Sequence, residues 1–141
     1  VHEANAGNAW AQWDVIYTDL PKIGVATVQA DNGGYLRICS TCGGAYPNSA
    51  VIQAGITPES KWQLVRIGKK IALKGSNGNF LSRCYGCWGG GAFSNSAFVY
   101  LPDASAPISQ WTPVKQSSGN WTLQADTGKY LARCNGCARS S

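Results

Sequence analysis

Tryptophan recurs in this chain on a fixed step: Trp13, Trp62 and Trp111 stand 49 residues apart. A period of that length marks a repeated structural unit, and it constrains the fold more than any single motif. Each Trp is followed by an apolar stretch, a Gly turn, an aromatic-Leu pair and a Cys-x-x-Cys. The third unit reads Gly128-Lys129-Tyr130-Leu131-Ala132-Arg133-Cys134-Asn135-Gly136-Cys137, and the second Gly78-Asn79-Phe80-Leu81-Ser82-Arg83-Cys84-Tyr85-Gly86-Cys87. The first, Gly33-Gly34-Tyr35-Leu36-Arg37-Ile38-Cys39-Ser40-Thr41-Cys42, keeps the frame with more drift.

Alternation and turn chemistry divide each unit into about four short strands. The first follows the Trp: Trp13 to Tyr17, Trp62 to Ile67, Trp111 to Val114. The second is Val25 to Ala30, Ile71 to Lys74, Trp121 to Ala125. The turns Asp31-Asn32-Gly33, Ser76-Asn77-Gly78 and Asp126-Thr127-Gly128 hold residues that tolerate the positive φ of a tight hairpin. The aromatic-Leu strand is third, and the fourth is Ser49 to Gln53 or Ser96 to Tyr100. The third unit runs out before a fourth strand, and the residues from Val1 onward are its expected replacement. The expectation is one all-β domain over residues 1–141, with repeats at 13–61, 62–110 and 111–141 plus 1–12. One such unit cannot bury its apolar face alone, so the core should be shared. Trp13, Trp62, Trp111, Leu36, Leu81, Leu131, Val28, Leu73 and Leu123 hold matching positions and are the predicted core.

This pattern resembles a β-trefoil: twelve strands in three four-stranded repeats with pseudo-three-fold symmetry. The run Gly128-Lys129-Tyr130-Leu131 is similar to the fascin-like repeat. Ricin-B-like lectins carry Gln-x-Trp, whereas here Gln12-Trp13 and Gln110-Trp111 are adjacent and the middle unit has Lys61-Trp62. Kunitz-type inhibitors share the resemblance, but their inhibitory loop and long-range disulfides have no counterpart here.

The six cysteines could be zinc half-sites, redox dithiols or disulfides. A structural zinc ion needs four converging ligands. Three-fold-related turns would point apart, and His2 is the lone imidazole. A redox Cys-x-x-Cys belongs in a βαβ setting, which this pattern lacks. The expectation is three short-loop disulfides, Cys39–Cys42, Cys84–Cys87 and Cys134–Cys137, in an oxidising compartment. The absence of Met and the Asn120-Trp121-Thr122 acceptor triplet are read the same way, as a secreted, processed chain glycosylated at Asn120.

Twelve Lys+Arg against seven Asp+Glu give +5, but the basic residues are scattered. No polybasic arm exists for nucleic acid, and no run reaches the ~18 apolar residues of a membrane span. With one His, no phosphate loop and turn-bound carboxylates, the pattern points away from an enzyme, and no cofactor or metal is expected. Sugar sites combine an aromatic face with a few planar hydrogen-bonding groups. The variable residues around the Cys-x-x-Cys turns supply those types: Arg37 in unit one, Arg83, Tyr85 and Trp88 in unit two, Arg133 and Asn135 in unit three. The functional expectation is a non-catalytic, lectin-like protein with up to three shallow sites, whose partners are glycans or glycoproteins. The alternatives are a protein-interaction module (a protease inhibitor or a fascin-like cytoskeletal binder) and a ligand-free defence or storage protein.

Overall fold

The computed structural model describes residues 6–7, 9–17, 24–39, 49–83 and 97–132. Ten strands lie within them: β1 (Asp14–Tyr17), β2 (Val25–Gln29), β3 (Tyr35–Cys39), β4 (Ser49–Gln53), β5 (Trp62–Ile67), β6 (Lys70–Lys74), β7 (Phe80–Arg83), β8 (Ala97–Leu101), β9 (Thr112–Lys115) and β10 (Trp121–Gln124). They fall where alternation and turn residues put them, within a residue or two at each end. Three short 3-10 turns, Ala9–Ala11, Pro58–Ser60 and Pro107–Ser109, each end two residues before a repeat Trp. No helix among the described residues is long and apolar enough to cross a membrane.

The Gly turns share one geometry because the same residue types recur there. The N–H of Ala30, Gly75 and Ala125 donates to the carbonyl of Gly34, Asn79 and Lys129, each at 2.8 Å. Gly33, Gly78 and Gly128 sit at φ of 87°, 83° and 88°, a region that costs little only without a Cβ. Asn32 and Asn77 each accept a 2.9 Å bond from the backbone N–H two residues on, and Thr127 does so at 3.3 Å.

The strands pair antiparallel. Seven close on themselves in the order β2-β3-β4-β8-β7-β6-β5, with β5 returning to β2 through Val25↔Gln63 and Ala26↔Trp62. β1 extends this barrel by a four-residue ladder on β2. The β9–β10 hairpin joins through two bridges, Ile71↔Trp111 and Trp13↔Trp121, each with reciprocal N–H···O bonds of 2.8 Å. Every repeat Trp thus pairs with the second strand of the unit before it, and unit one takes unit three as its predecessor.

The indoles repeat the same relation. Trp62 Nε1 donates to the Leu36 carbonyl at 2.9 Å, Trp111 Nε1 to Leu81 at 3.1 Å, and Trp13 Nε1 to Leu131 at 3.1 Å. The ring bodies are fully buried while each polar N–H finds an acceptor, as a buried indole requires. All nine predicted core residues lie in one cluster, joined by Ala30, Ile38, Val99 and Ala125. Gln12 and Gln110 are occupied locally, their side-chain amides donating to the carbonyls of Ala6 (3.1 Å) and Ala104 (2.7 Å) ahead of the 3-10 turns.

The expected fold class is corrected here. Twelve strands in three equal four-stranded repeats do not describe this molecule; among the described residues there are ten, and the closed ladder runs through seven. The cause is how backbone groups are satisfied. β4 finds its second neighbour in β8 at the single pair Ser49↔Phe98, and β2 finds β5 at two pairs, so the closed ring of strands runs through units one and two. Unit three contributes one hairpin, and its aromatic-Leu segment makes a single bridge, Gln124↔Tyr130. A sequence period places like side chains at like positions but does not oblige like ladders. The N-terminal strand expected to complete the third repeat, at residues 1–4, falls outside the described residues.

Candidate functional site

Two structural contacts tie unit one to unit two and unit two to unit three: the Trp–Leu bond, and a contact made by the residue two after the repeat Leu. In unit one that residue is Ile38, 4% exposed and part of the core. It packs so closely on Gly75 that a Cβ there would stand 2.6 Å from Ile38 Cδ1. In unit two the residue is Arg83, whose guanidinium grips Asp126, in the Gly turn of unit three, in a two-pronged pair. Nε faces Oδ1, and Nη2 donates to Oδ2 at 2.7 Å. The pair is partly sheltered, with Arg83 and Asp126 side chains 11% and 22% exposed. The hydrogen bond from Arg83 holds the Asp126 carboxyl below its ordinary pKa, against a smaller upward push from burial. Asp126 had been expected to serve its own turn; its main side-chain partner is instead an arginine 43 residues away.

Arg37 is placed differently. It lies on β3 opposite Val51 of β4, while Tyr35, two residues earlier on the same strand face, is opposite Gln53. Tyr35 is half-buried, and its Oη accepts a 3.4 Å bond from Gln29 Nε2. Arg37 is half-buried too, with Nε sealed from solvent and given no acceptor. One other buried side-chain atom among the described residues lacks a partner: Thr57 Oγ1, at the cap of the 3-10 turn Pro58–Ser60. That turn packs against β3, as Pro107–Ser109 packs against β7. The two unpartnered groups therefore belong to neighbouring elements.

The second unit carries other residues at the matching positions. The repeat places Ser82 where unit one has Arg37, and Ala106 where it has Thr57. Ser82 is fully buried, its hydroxyl donating to the Phe98 carbonyl at 3.4 Å, and Ala106 has no polar side-chain atom to satisfy. Thr57 and Tyr35 were not singled out by sequence reasoning. Setting the repeats in register would have marked Thr57, as a hydroxyl where the matching position is alanine.

Of the other candidates, Tyr85, Trp88, Arg133 and Asn135 lie outside the described residues, as do His2 and the cysteines Cys42, Cys84, Cys87, Cys134 and Cys137. Cys39 is buried and disulfide-bonded. Asn120 closes the β9–β10 turn half-exposed, accepting the Gln116 N–H at 2.8 Å. The triplet's Thr122 is fully buried, its hydroxyl donating to the Val114 carbonyl at 3.3 Å and accepting from Gln116 Nε2 at 3.0 Å. No group of three or more His, Cys, Asp or Glu among the described residues is arranged to hold a metal ion.

No protein-family model and no curated protein matches the chain. Among solved structures, it is similar to the crystal structure of the Haemophilus ducreyi cytolethal distending toxin. The TM-score is 0.60 over 88% of this chain and 83% of that one, at 13% identity. At that identity the likeness carries the fold alone. The expected membership among fascin-like or ricin-B-like β-trefoil repeats is corrected accordingly: the likeness found is of an all-β barrel to a toxin structure.

Proposed function

We propose that the chain is a non-catalytic carbohydrate-binding protein that works outside the cell and takes glycans or glycoproteins as partners. One observation carries the reading: β3 presents the half-buried Tyr35 and Arg37 on one strand face, and Arg37 Nε has no acceptor among the described residues. A ring face suits the C–H side of a pyranose, and a guanidinium supplies fixed donors for its oxygens. Strands hold both groups, so little ordering would be needed on binding. The disulfide at Cys39 supports an oxidising compartment. Arg83, whose fork is already filled by Asp126, is read as a residue that joins units. The similar structure is that of a toxin, and that action is not carried to this chain.

A glycan array probed with the folded protein tests the proposal. Retention of at least one saccharide class is expected, with Tyr35→Ala losing about 1 kcal/mol or more of binding through the missing ring contact. No retained saccharide, from protein whose near-UV circular dichroism shows intact tryptophan packing, would remove the reading.

A further inference from the structure

We infer that Asn32 is a site of spontaneous covalent modification: among the Gly turns of the described residues, its side-chain amide is the one that converts first to aspartate and isoaspartate.

The chemistry needs an Asn followed by a residue that does not crowd its own backbone nitrogen, and glycine crowds it least. The Gly33 nitrogen gives up its proton and bonds to the side-chain carbonyl carbon of Asn32. The bond from that carbon to the amide nitrogen breaks, and ammonia leaves. Water then opens the cyclic imide at one carbonyl or the other, giving aspartate, or isoaspartate with the main chain routed through the side chain. No oxidant or cofactor takes part. Among the described residues two Asn precede Gly, Asn32 and Asn77, and both are exposed at the same step of their turns. A further pair, Asn135-Gly136, lies outside the described residues. Thr127 holds the matching place in unit three and has no amide to lose.

The two attacking nitrogens are held alike. The N–H of Gly33 and of Gly78 each donates at 3.0 Å, to the carbonyls of Ala30 and Gly75. The two amides under attack are held differently. Both side-chain oxygens accept a 2.9 Å bond from the N–H two residues on, of Gly34 or Asn79. Asn77 is pinned at its other end as well, Nδ2 donating to the Val99 carbonyl of β8 at 3.0 Å. Asn32 Nδ2 has no partner among the described residues. Swinging the side-chain carbon onto the backbone nitrogen therefore breaks one amide bond at Asn32 and two at Asn77. Asn120 is blocked in another way: the nitrogen after it belongs to Trp121, which is bulky and donates to the Trp13 carbonyl at 2.8 Å.

The product acts on β3. Gln29 Nε2 donates to the Gly33 carbonyl at 3.1 Å and to Tyr35 Oη at 3.4 Å, so one side chain ties the turn to the tyrosine. Isoaspartate lengthens the backbone by one carbon inside that turn and moves the Gly33 carbonyl, which loosens this tie. Either product also trades a neutral amide for a carboxylate, lowering the net charge of +5 by one.

The experiment is incubation of the folded full chain in mildly alkaline buffer, followed over time by peptide mapping. Cleavage after Lys and Arg leaves Asn32, Asn77 and Asn135 on separate peptides. Conversion of Asn32 is expected to run about five-fold faster than that of Asn77, the factor that one hydrogen bond supplies. In guanidinium chloride, where neither turn persists, the two rates should come close to equal. Equal rates in the folded chain, or a faster Asn77, would overturn the inference. So would a gap that survives denaturation, because the cause would then be the neighbours in sequence and not the bond to Val99.

Discussion

Unit one meets unit two through Ile38, and unit two meets unit three through Arg83, the residue at the same step of the repeat. The two contacts could hardly differ more in kind. Ile38 is core, filling the space that a glycine at position 75 leaves open. Arg83 reaches across a partly sheltered gap to the Asp126 carboxylate. Both sit under the same Trp–Leu hydrogen bond, made by Trp62 in one case and Trp111 in the other. The indole bond and the ring around it therefore set the spacing between units, and the second contact is free to vary in chemistry. The first contact stabilises by exclusion of water and close packing, terms that salt and pH barely touch. The second contributes through charge, which both can weaken.

The largest effect should come from emptying the apolar contact. Ile38→Ala removes a buried side chain from a cluster that includes Trp62 and Val99, so a loss of about 2–5 kcal/mol in unfolding free energy is expected. Denaturant titration with an unchanged m-value would measure it. A loss below that of Arg83→Gln would reverse the ranking of the two contacts. Gly75→Ala attacks the same place from the other side. Its Cβ would stand 2.6 Å from Ile38 Cδ1, 3.1 Å from Val99 Cγ1 and 3.3 Å from Trp62 Cζ3. Overpacking of this kind costs about 1–3 kcal/mol. Combining it with Ile38→Val, which gives back one methyl group at the tightest contact, should recover part of that loss. Additive losses in the double variant would show that the Ile38–Gly75 approach is not what limits the site.

How much of this was legible beforehand divides along a physical line. Core and turns were readable because they depend on residue type in a local frame: Trp, Leu and Val in step, and Asn or Thr before a Gly at each hairpin. The closed seven-strand ladder was not readable. It depends on which strand edges meet across units, and the repeat says nothing of the difference between a full ladder and a bridge such as Ile71↔Trp111. The Arg83–Asp126 pair was hidden for a related reason, since its members belong to different units and Asp126 alone looks like an ordinary turn residue. Arg37 was visible as a candidate, but its distinguishing property was not. That property is a missing partner, and it emerges only when β3 and the turn after Thr57 are seen packed together. Sequence reasoning found the arginine; the comparison with Ser82 gives it meaning.

The ionic contact should yield the smallest change and the one most sensitive to conditions. Arg83→Gln leaves Asp126 in place without its cation, at an expected cost of about 1 kcal/mol near neutral pH. That is smaller than either change at the apolar contact, because both side chains keep some solvent. The pH dependence fixes the mechanism. Arg83 lowers the Asp126 pKa in the folded state, so the folded chain releases that proton more readily than the unfolded chain. The contribution is then fully present above the ordinary carboxylate range of about 4. It is lost as pH falls from there through the depressed folded value. Wild type and Arg83→Gln should therefore differ at neutral pH and converge as the solution is acidified below that range, while Ile38→Ala stays displaced from wild type throughout. The difference between wild type and Arg83→Gln should also shrink on adding salt. An Arg83→Gln deficit that persists unchanged into strong acid would mean that this side chain acts through packing of its stem rather than through charge, and the two contacts would then be the same in kind.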